Sequence, residues 1–152
     1  MDRIEFREIN IGNLDEIEAL RVKPTQIDLV AENIYSIAQS GLDFQGWCRA
    51  VYLGETPVAF FYIRDLEEGK LAYICRFMVD QAWQSKGIGK QIMSELVTLL
   101  FSAPLVETID LAVSSDSSGA MEFYRKCGFI STEEPYRGGV RMVLERSVFQ
   151  AR

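Results

Sequence analysis

The spacing of apolar positions changes several times along the chain, and each change marks an element. Residues 3–9 alternate and predict an edge strand. Behind Pro24 and Thr25, a helix start signal, Ile27, Val30, Ile34 and Ile37 recur at helical spacing. They predict a helix over 25–40 that Gly41 ends. Residues 48–53 and 57–64 are β-rich, and Gly54-Glu55-Thr56 between them reads as a hairpin turn. Residues 71–80 form a nearly continuous apolar strand broken by Arg76. A second helix follows over 88–101, with Ile88, Ile92, Leu96 and Leu99 on one stripe. Residues 106–114 alternate through Ile109, Leu111 and Val113 and predict a strand. A short helix runs from Ser118 to Lys126 with Gly128 as its cap. Residues 129–133 and 139–146 predict a last hairpin around Gly138-Gly139. The order β, α, β-β-β, α, β, α, β-β gives an α/β protein with a mixed sheet and helices on its faces.

The 152 residues contain no repeat and no Pro/Gly-rich linker, which predicts one domain over 1–152. A chain of this size buries roughly 70% of its unfolded surface, enough for one core. No apolar stretch approaches the ~18 residues of a membrane span. The start Met1-Asp2-Arg3-Ile4-Glu5 lacks the basic-then-apolar order of a secretory signal. These features predict a soluble cytoplasmic protein with no membrane partner.

With no histidine in the sequence, a Ser-His-Asp or Cys-His nucleophile is impossible, and so are histidine-bearing zinc and iron sites. Cys48, Cys75 and Cys127 are odd in number, far apart and form no Cys-x-x-Cys pair. Each sits in an apolar run and is expected as a buried free thiol. No metal is expected. The net charge of −6 argues against nucleic acid, which needs a clustered basic surface. Residues 1–70 carry 13 acidic against 7 basic residues, whereas 71–152 carry 9 of each. An acidic half of this kind either attracts a cationic ligand or serves as ordinary solubility charge.

Gln84-Ser85-Lys86-Gly87-Ile88-Gly89-Lys90, between the apolar strand and the second helix, suits a phosphate group. Gly87 and Gly89 let the backbone approach closely at a helix N-terminus, where unpaired N–H groups and the helix dipole favour an anion. Lys86 and Lys90 add positive charge. The spacing fits neither the mononucleotide P-loop nor the Gly-x-Gly-x-x-Gly dinucleotide pattern, since position 92 is Ile.

In its context, Val79-x-x-x-x-Gln84-x-x-Gly87-x-Gly89 resembles the acetyl-CoA motif of the GNAT superfamily of N-acetyltransferases. About thirty residues later, Ser117-Ser118-Gly119-Ala120-Met121-Glu122-Phe123-Tyr124-Arg125-Lys126-Cys127-Gly128-Phe129 is similar to the family's second motif. The resemblance covers most of residues 48–146. It implies a mostly antiparallel sheet that splays open at its central strands. It also implies that the pyrophosphate of acetyl-CoA lies on the N–H groups of residues 84–90. Pantetheine would run beside Phe77-Met78-Val79, and an N–H at Phe77 or Val79 would polarise the thioester carbonyl. An amine would attack directly and the thiolate of CoA would leave. Tyr124 occupies the family's position for the acid that protonates it. Read without the motif, Tyr124 is a core aromatic beside Phe123. Where many relatives have Asn, this chain has Ser117, which is expected to cap the helix and still contact the cofactor. Relatives often form dimers, so a homodimer is an expected assembly.

Residues 22–39 and Arg76-Phe77-Met78-Val79-Asp80 also resemble the early helix and central strand of spermine/spermidine-type acetyltransferases. On a continuous helix Asp28, Glu32 and Tyr35 share one face, opposite the Ile27–Ile34 stripe. That face would suit a polycation by ion pairing and cation–π contact, or it is simply solvated. Some polyamine acetyltransferases carry a carboxylate where this chain has Cys75 and Arg76, so the general base is open, with Glu32 and Asp80 as candidates. Arg76, in an apolar strand, is expected to need a carboxylate partner. The readings that follow are N-acetylation of a small amine such as a polyamine or diamine, or of a peptide N-terminus or an aminoglycoside. A non-catalytic acyl-CoA-binding module is the remaining alternative.

Overall fold

The computed structural model describes residues 3–152, without the side chains of Asp28, Leu29 and Ser118. Met1 and Asp2, on which the reading of the chain start rests, lie outside the described residues, as does the Asp28 side chain of the expected acidic face. The elements in chain order are β1 (Ile4–Arg7), α1 (Leu14–Glu18), α2 (Asn33–Leu42), β2 (Gly46–Leu53), β3 (Thr56–Leu66) and β4 (Leu71–Val79). They continue with α3 (Ile88–Ser102), β5 (Thr108–Val113), α4 (Ser118–Lys126), β6 (Ile130–Tyr136), β7 (Gly139–Glu145) and α5 (Arg146–Gln150). Short 3-10 turns cover Pro24–Leu29, Glu67–Gly69 and Gln81–Trp83. The class is mixed α/β, and among the described residues seven strands pair mostly antiparallel. The chain divides into two compact units, residues 1–64 with 75–92 and residues 65–74 with 93–152.

In the first unit the strands run β1-β2-β3-β4, with antiparallel pairing of β1 to β2 and β2 to β3. The run from Val58 to Ile63 is fully buried because β3 is covered on both faces, which is why it reads as continuous rather than alternating. Phe60 and Tyr62 pack with Ile17, Leu20, Ala50, Tyr52 and Met78. The intervening Phe61 meets Phe6 and Trp47 edge-on, at 5.0 and 5.8 Å between ring centres.

In the second unit the order is β4-β5-β7-β6, and the parallel pairing of Leu71–Ile74 with Thr108–Leu111 stops at Ile74 although β4 runs on to Val79. Ile109, Leu111 and Val113 are buried, as the alternation predicts. Asp110 between them is also buried, and Arg141 Nε donates to it at 2.6 Å. Arg146 donates to the carbonyls of Phe101, Ala103 and Val106, which places a cation at the C-terminus of α3.

Several expectations need correction. The helix expected over 25–40 is broken: a 3-10 turn ends at Leu29, Val30 is extended (φ −136°, ψ 132°), and α2 begins only at Asn33. Gly41 does not end α2, which continues through Leu42. Of the expected stripe, Val30 and Ile37 pack against the core, whereas Ile27 and Ile34 are exposed. The buried residues of α2 are Asn33, Ser36 and Ser40. In α3 Leu99 is exposed and Leu100 takes its place inside. The last hairpin turns at Arg137-Gly138, both at positive φ, and Gly139 already pairs with Tyr136. Cys127 is a buried free thiol, but Cys48 and Cys75 are only half-buried. The helix α1, with Asp15 and Glu16 in its first turn, and the final α5 were not expected. No helix of the described residues is long and apolar enough to cross a membrane.

Candidate active site

The end of β4 is tied down by polar contacts. The Asp80 N–H donates to the Val58 carbonyl at 2.8 Å, and the Asp80 carboxylate accepts the amides of Arg21 (2.9 Å) and Ala82 (3.1 Å). Both oxygens of this candidate base are therefore engaged in holding the turn over Gln81–Trp83. Gln84 Nε2 donates back to the Val79 carbonyl at 2.8 Å and to Gln26 Oε1 at 3.0 Å. Gln26 Oε1 also accepts the Lys23 N–H at 3.1 Å, so one side chain links the Pro24–Leu29 turn to the loop before α3.

That loop turns through Ser85 (φ 62°) and Gly87 (φ 81°) into α3. Among the described residues, the backbone N–H groups from Gln84 through Lys90 donate to no protein oxygen, and the first amide bonded into the helix is that of Gln91, to the Gly87 carbonyl. Ser85, Lys86, Gly87 and Lys90 are exposed, whereas Ile88 is buried and anchors the turn. The Lys86 ammonium sits 5.4 Å from the centre of the Trp83 ring. Unpaired donors, a helix N-terminus and two exposed lysines suit an anionic group such as a pyrophosphate.

Asn33 Nδ2, at the start of α2, donates to the Ile17 carbonyl at 2.8 Å and approaches Met78 Sδ at 3.7 Å. Asn33 thus ties the start of α2 to α1 and to Met78 of β4. Glu32 occupies the N-cap position of α2 without capping it, and both Glu32 and Tyr35 are exposed. With the helix broken at Val30, Asp28 and Glu32 belong to different elements, so the single acidic face does not exist as one helix face. Beyond the C-terminus of α2, Asp43 accepts from Tyr62 Oη (2.8 Å) and from Arg64 Nε (2.5 Å). The Arg64 guanidinium first, then the Tyr62 hydroxyl, holds the Asp43 carboxyl below its ordinary value. Burial pushes the Tyr62 phenol up, and Asp43 adds to that shift.

Cys75 and Met78 both pack on the Phe60–Tyr62 cluster. Arg76 and Phe77, between them, are half-buried. Arg76 Nη1 donates to the Cys75 carbonyl at 2.8 Å. The carboxylate partner expected for Arg76 is absent among the described residues.

In the second unit Tyr124 lies half-buried on α4, edge-on to Phe123 at 5.1 Å and to Phe129 at 5.8 Å. Its hydroxyl bonds to no described residue. Burial, with a smaller contribution from the Cys127 thiol, pushes the phenol above its ordinary value. The backbone of Tyr124 is fixed by a Schellman turn: Phe129 N–H donates to its carbonyl at 3.0 Å, and Gly128 N–H to that of Arg125 at 2.9 Å. Gly128 sits at φ 103°, which is the glycine requirement of that motif. Ser117 precedes α4, but its side chain makes no capping hydrogen bond, contrary to expectation.

Residues 13–129 match the acetyltransferase (GNAT) family, and the chain belongs to that family. It is an acetyl-CoA-dependent N-acetyltransferase. Crystal structures with the same fold include aminoglycoside acetyltransferase AAC(6')-Ib in complex with coenzyme A, at 16% identity and TM-score 0.77, covering 98% of each chain. Spermidine N-acetyltransferase from Vibrio cholerae in complex with CoA and spermine shares 16% identity at TM-score 0.76, over 97% of this chain and 98% of that one. PaiA N-acetyltransferase from Thermoplasma acidophilum in complex with coenzyme A shares 19% at TM-score 0.71, over 94% and 99%. No curated protein matches the sequence.

Sequence reasoning missed Gln26 and Asn33. Gln26, three residues beyond Lys23 and behind Pro24, carries a helix-start signature that could have been found. Asn33 carries no signal, because hydrophobic periodicity does not register a buried amide.

Proposed function

We propose that the chain transfers the acetyl group of acetyl-CoA directly to the primary amine of a small acceptor, with polyamines and diamines as the class to test first. The observation that carries the cofactor half of this reading is the row of unpartnered N–H groups from Gln84 to Lys90 at the N-terminus of α3. Gln84, Ser85, Lys86, Gly87, Ile88, Gly89 and Lys90 would hold the pyrophosphate, and Phe77, Met78 and Val79 would lie along the pantetheine arm. Ser117 would contact the cofactor near the start of α4.

The acceptor half is supported by the acidic first 70 residues and by Glu32 and Tyr35, exposed at the start of a helix that docks on Met78. Asp28 completes this proposed set. Glu32 would hold an ammonium or take up its proton through water. Asp80, with both oxygens on backbone amides, would serve the site by fixing the strand end. Tyr124, a phenol that burial keeps protonated, would give its proton to the departing thiolate. The atoms balance: the ammonium gives one proton to water, the neutral nitrogen bonds to the acetyl carbon and gives a second proton to solvent, the carbon–sulfur bond breaks toward sulfur, which takes the Tyr124 proton, and solvent returns a proton to Tyr124. Two dimerised copies are a compatible assembly.

The test is thiol release from acetyl-CoA at pH 8 with spermidine, spermine, a short diamine, a peptide and an aminoglycoside. Turnover confined to the polyamines and the diamine supports the acceptor class. Turnover confined to the aminoglycoside or the peptide replaces it. Acetyl-CoA binding without thiol release from any amine leaves a binding module.

A further inference from the structure

The five-residue helix α5 is bracketed by two arginines, and each reaches the end of another helix. Arg146, its first residue, donates to the carbonyls of Phe101, Ala103 and Val106 where α3 ends, and its guanidinium lies 5.1 Å from the centre of the Phe101 ring. Arg152, just beyond α5, has its backbone N–H on the Phe149 carbonyl at 3.3 Å, while its Nη2 donates to the Cys127 carbonyl at the end of α4, at 2.6 Å. Between the two, the Phe149 ring packs on Phe101 at 4.9 Å and lies 5.8 Å from the Arg152 guanidinium. A cation therefore stands at the C-terminus of each helix, where the last carbonyls and the helix dipole favour one.

The contact on α4 is made at the turn that carries Tyr124. Cys127 N–H donates to the carbonyls of Phe123 (3.2 Å) and Tyr124 (3.1 Å). The peptide joining Cys127 to Gly128 is held from both sides: its N–H donates to the Arg125 carbonyl at 2.9 Å, and its carbonyl accepts from Arg152. Gly128 also makes room for the guanidinium. A Cβ there would collide with Arg152 Nη2 and stand 2.8 Å from Cζ, so the seat of Arg152 requires glycine as much as the positive φ does. The Tyr124 phenol is aimed by its ring contacts to Phe123 and Phe129 and by this turn.

We propose that Arg152 is a positioning residue for Tyr124: by fastening the C-terminal turn of α4 to α5, it fixes where the phenol stands when the thiolate departs. The inference rests on the proton transfer from Tyr124 proposed above. That transfer needs the phenol within hydrogen-bond reach of the sulfur. A displacement of about 1 Å costs on the order of 100-fold in rate, and a loosened turn gives part of that. Arg152 acts through the Cys127–Gly128 peptide, not on the reacting atoms.

The experiment is a double-mutant cycle on kcat with Arg152→Met, Tyr124→Phe and the pair, using acetyl-CoA and the best acceptor of the amine panel above. Met keeps an apolar stem beside Phe149 and removes the donor. Arg152→Met is expected to lower kcat about 5–50-fold with the acetyl-CoA dissociation constant within about threefold of wild type. In the Tyr124→Phe background the same substitution should change kcat by less than about twofold, since the group it positions is gone. Arg152→Lys, which still donates to a carbonyl, should restore kcat to within about threefold of wild type. Wild-type kcat in Arg152→Met overturns the inference. So does an equal fall in both backgrounds, which would make the contact a purely structural one. Should Arg152→Met not fold, Arg152→Gln carries the same cycle and the same two outcomes decide. A loss in Tyr124→Phe beside none in Arg152→Met overturns this inference alone. Wild-type kcat in Tyr124→Phe, or no thiol release with any amine, removes the proposed proton transfer and this inference with it.

Discussion

Gln84 Nε2 donates to the Val79 carbonyl at 2.8 Å, closing the end of β4 onto the loop that opens α3. The same amide reaches Gln26 Oε1, so an early turn of the chain braces the phosphate loop. Gln84→Ala removes both contacts and leaves the loop without its brace. We expect Tm to fall by a few degrees, since the two lost hydrogen bonds are together worth about 1–3 kcal/mol, and acetyl-CoA binding to weaken about 5–15-fold by calorimetry as the loop loses its fixed geometry.

Gly87 lies at φ 81°, and a Cβ there would meet nothing within 4 Å. The cost of a side chain at 87 is therefore backbone strain and blocked access, not a clash with the protein. Gly87→Val should weaken acetyl-CoA binding about 100-fold or more while the folded baseline of the circular dichroism spectrum persists. A wild-type dissociation constant would remove the loop from the cofactor site.

Tyr124→Phe keeps the edge-on contacts to Phe123 and Phe129 and deletes only the hydroxyl. We expect kcat to fall about 10–1000-fold with the acetyl-CoA dissociation constant within about threefold of wild type. Because burial raises the phenol, its protonated form persists to higher pH, and the wild-type kcat profile should show no descending limb up to about pH 10.

The features that were legible in the sequence are those written in periodicity and glycine. The β2–β3 hairpin, β4, α3 and α4 follow their apolar patterns, and the two glycine motifs fall on the loop and the cap that geometry requires of them. The break at Val30 was not legible, because Ile27, Val30, Ile34 and Ile37 satisfy helical spacing whether or not one helix joins them. What decides the break is tertiary: Gln26 is held by Gln84 and Asn33 by the Ile17 carbonyl, contacts that spacing does not encode. Asn33, Ser36 and Ser40 join Ile37 on the buried side of α2 and Ile34 faces outward, a mixed face that apolar spacing does not encode. Helical spacing therefore does not set where Asp28, Glu32 and Tyr35 stand relative to one another.

Asp43 is held in its charged form by Arg64 and Tyr62, so its folded-state value lies below its unfolded one. Its contribution to stability is present above the unfolded carboxylate range and is lost as pH falls through the lower folded value. Asp43→Asn should lower Tm at pH 7 by about 3–6 °C, and the gap to wild type should narrow as pH falls below the ordinary carboxylate range. A gap independent of pH would separate Asp43 from the ion pair.

Gly46 lets this cluster close, since a Cβ there would stand 2.8 Å from Tyr62 Cε1 and 2.9 Å from Asp43 Oδ2. Gly46→Ala should cost about 1–3 kcal/mol in urea unfolding, as overpacking does, and leave acetyl-CoA binding intact.

The most direct test of the central claim is product analysis by mass spectrometry alongside thiol release, with acetyl-CoA and spermidine at pH 8. The account predicts one acetylated amine for each thiol released, with both rates falling together in Tyr124→Phe. Thiol release without acetylated amine would mean hydrolysis of the thioester and would contradict direct transfer to an amine.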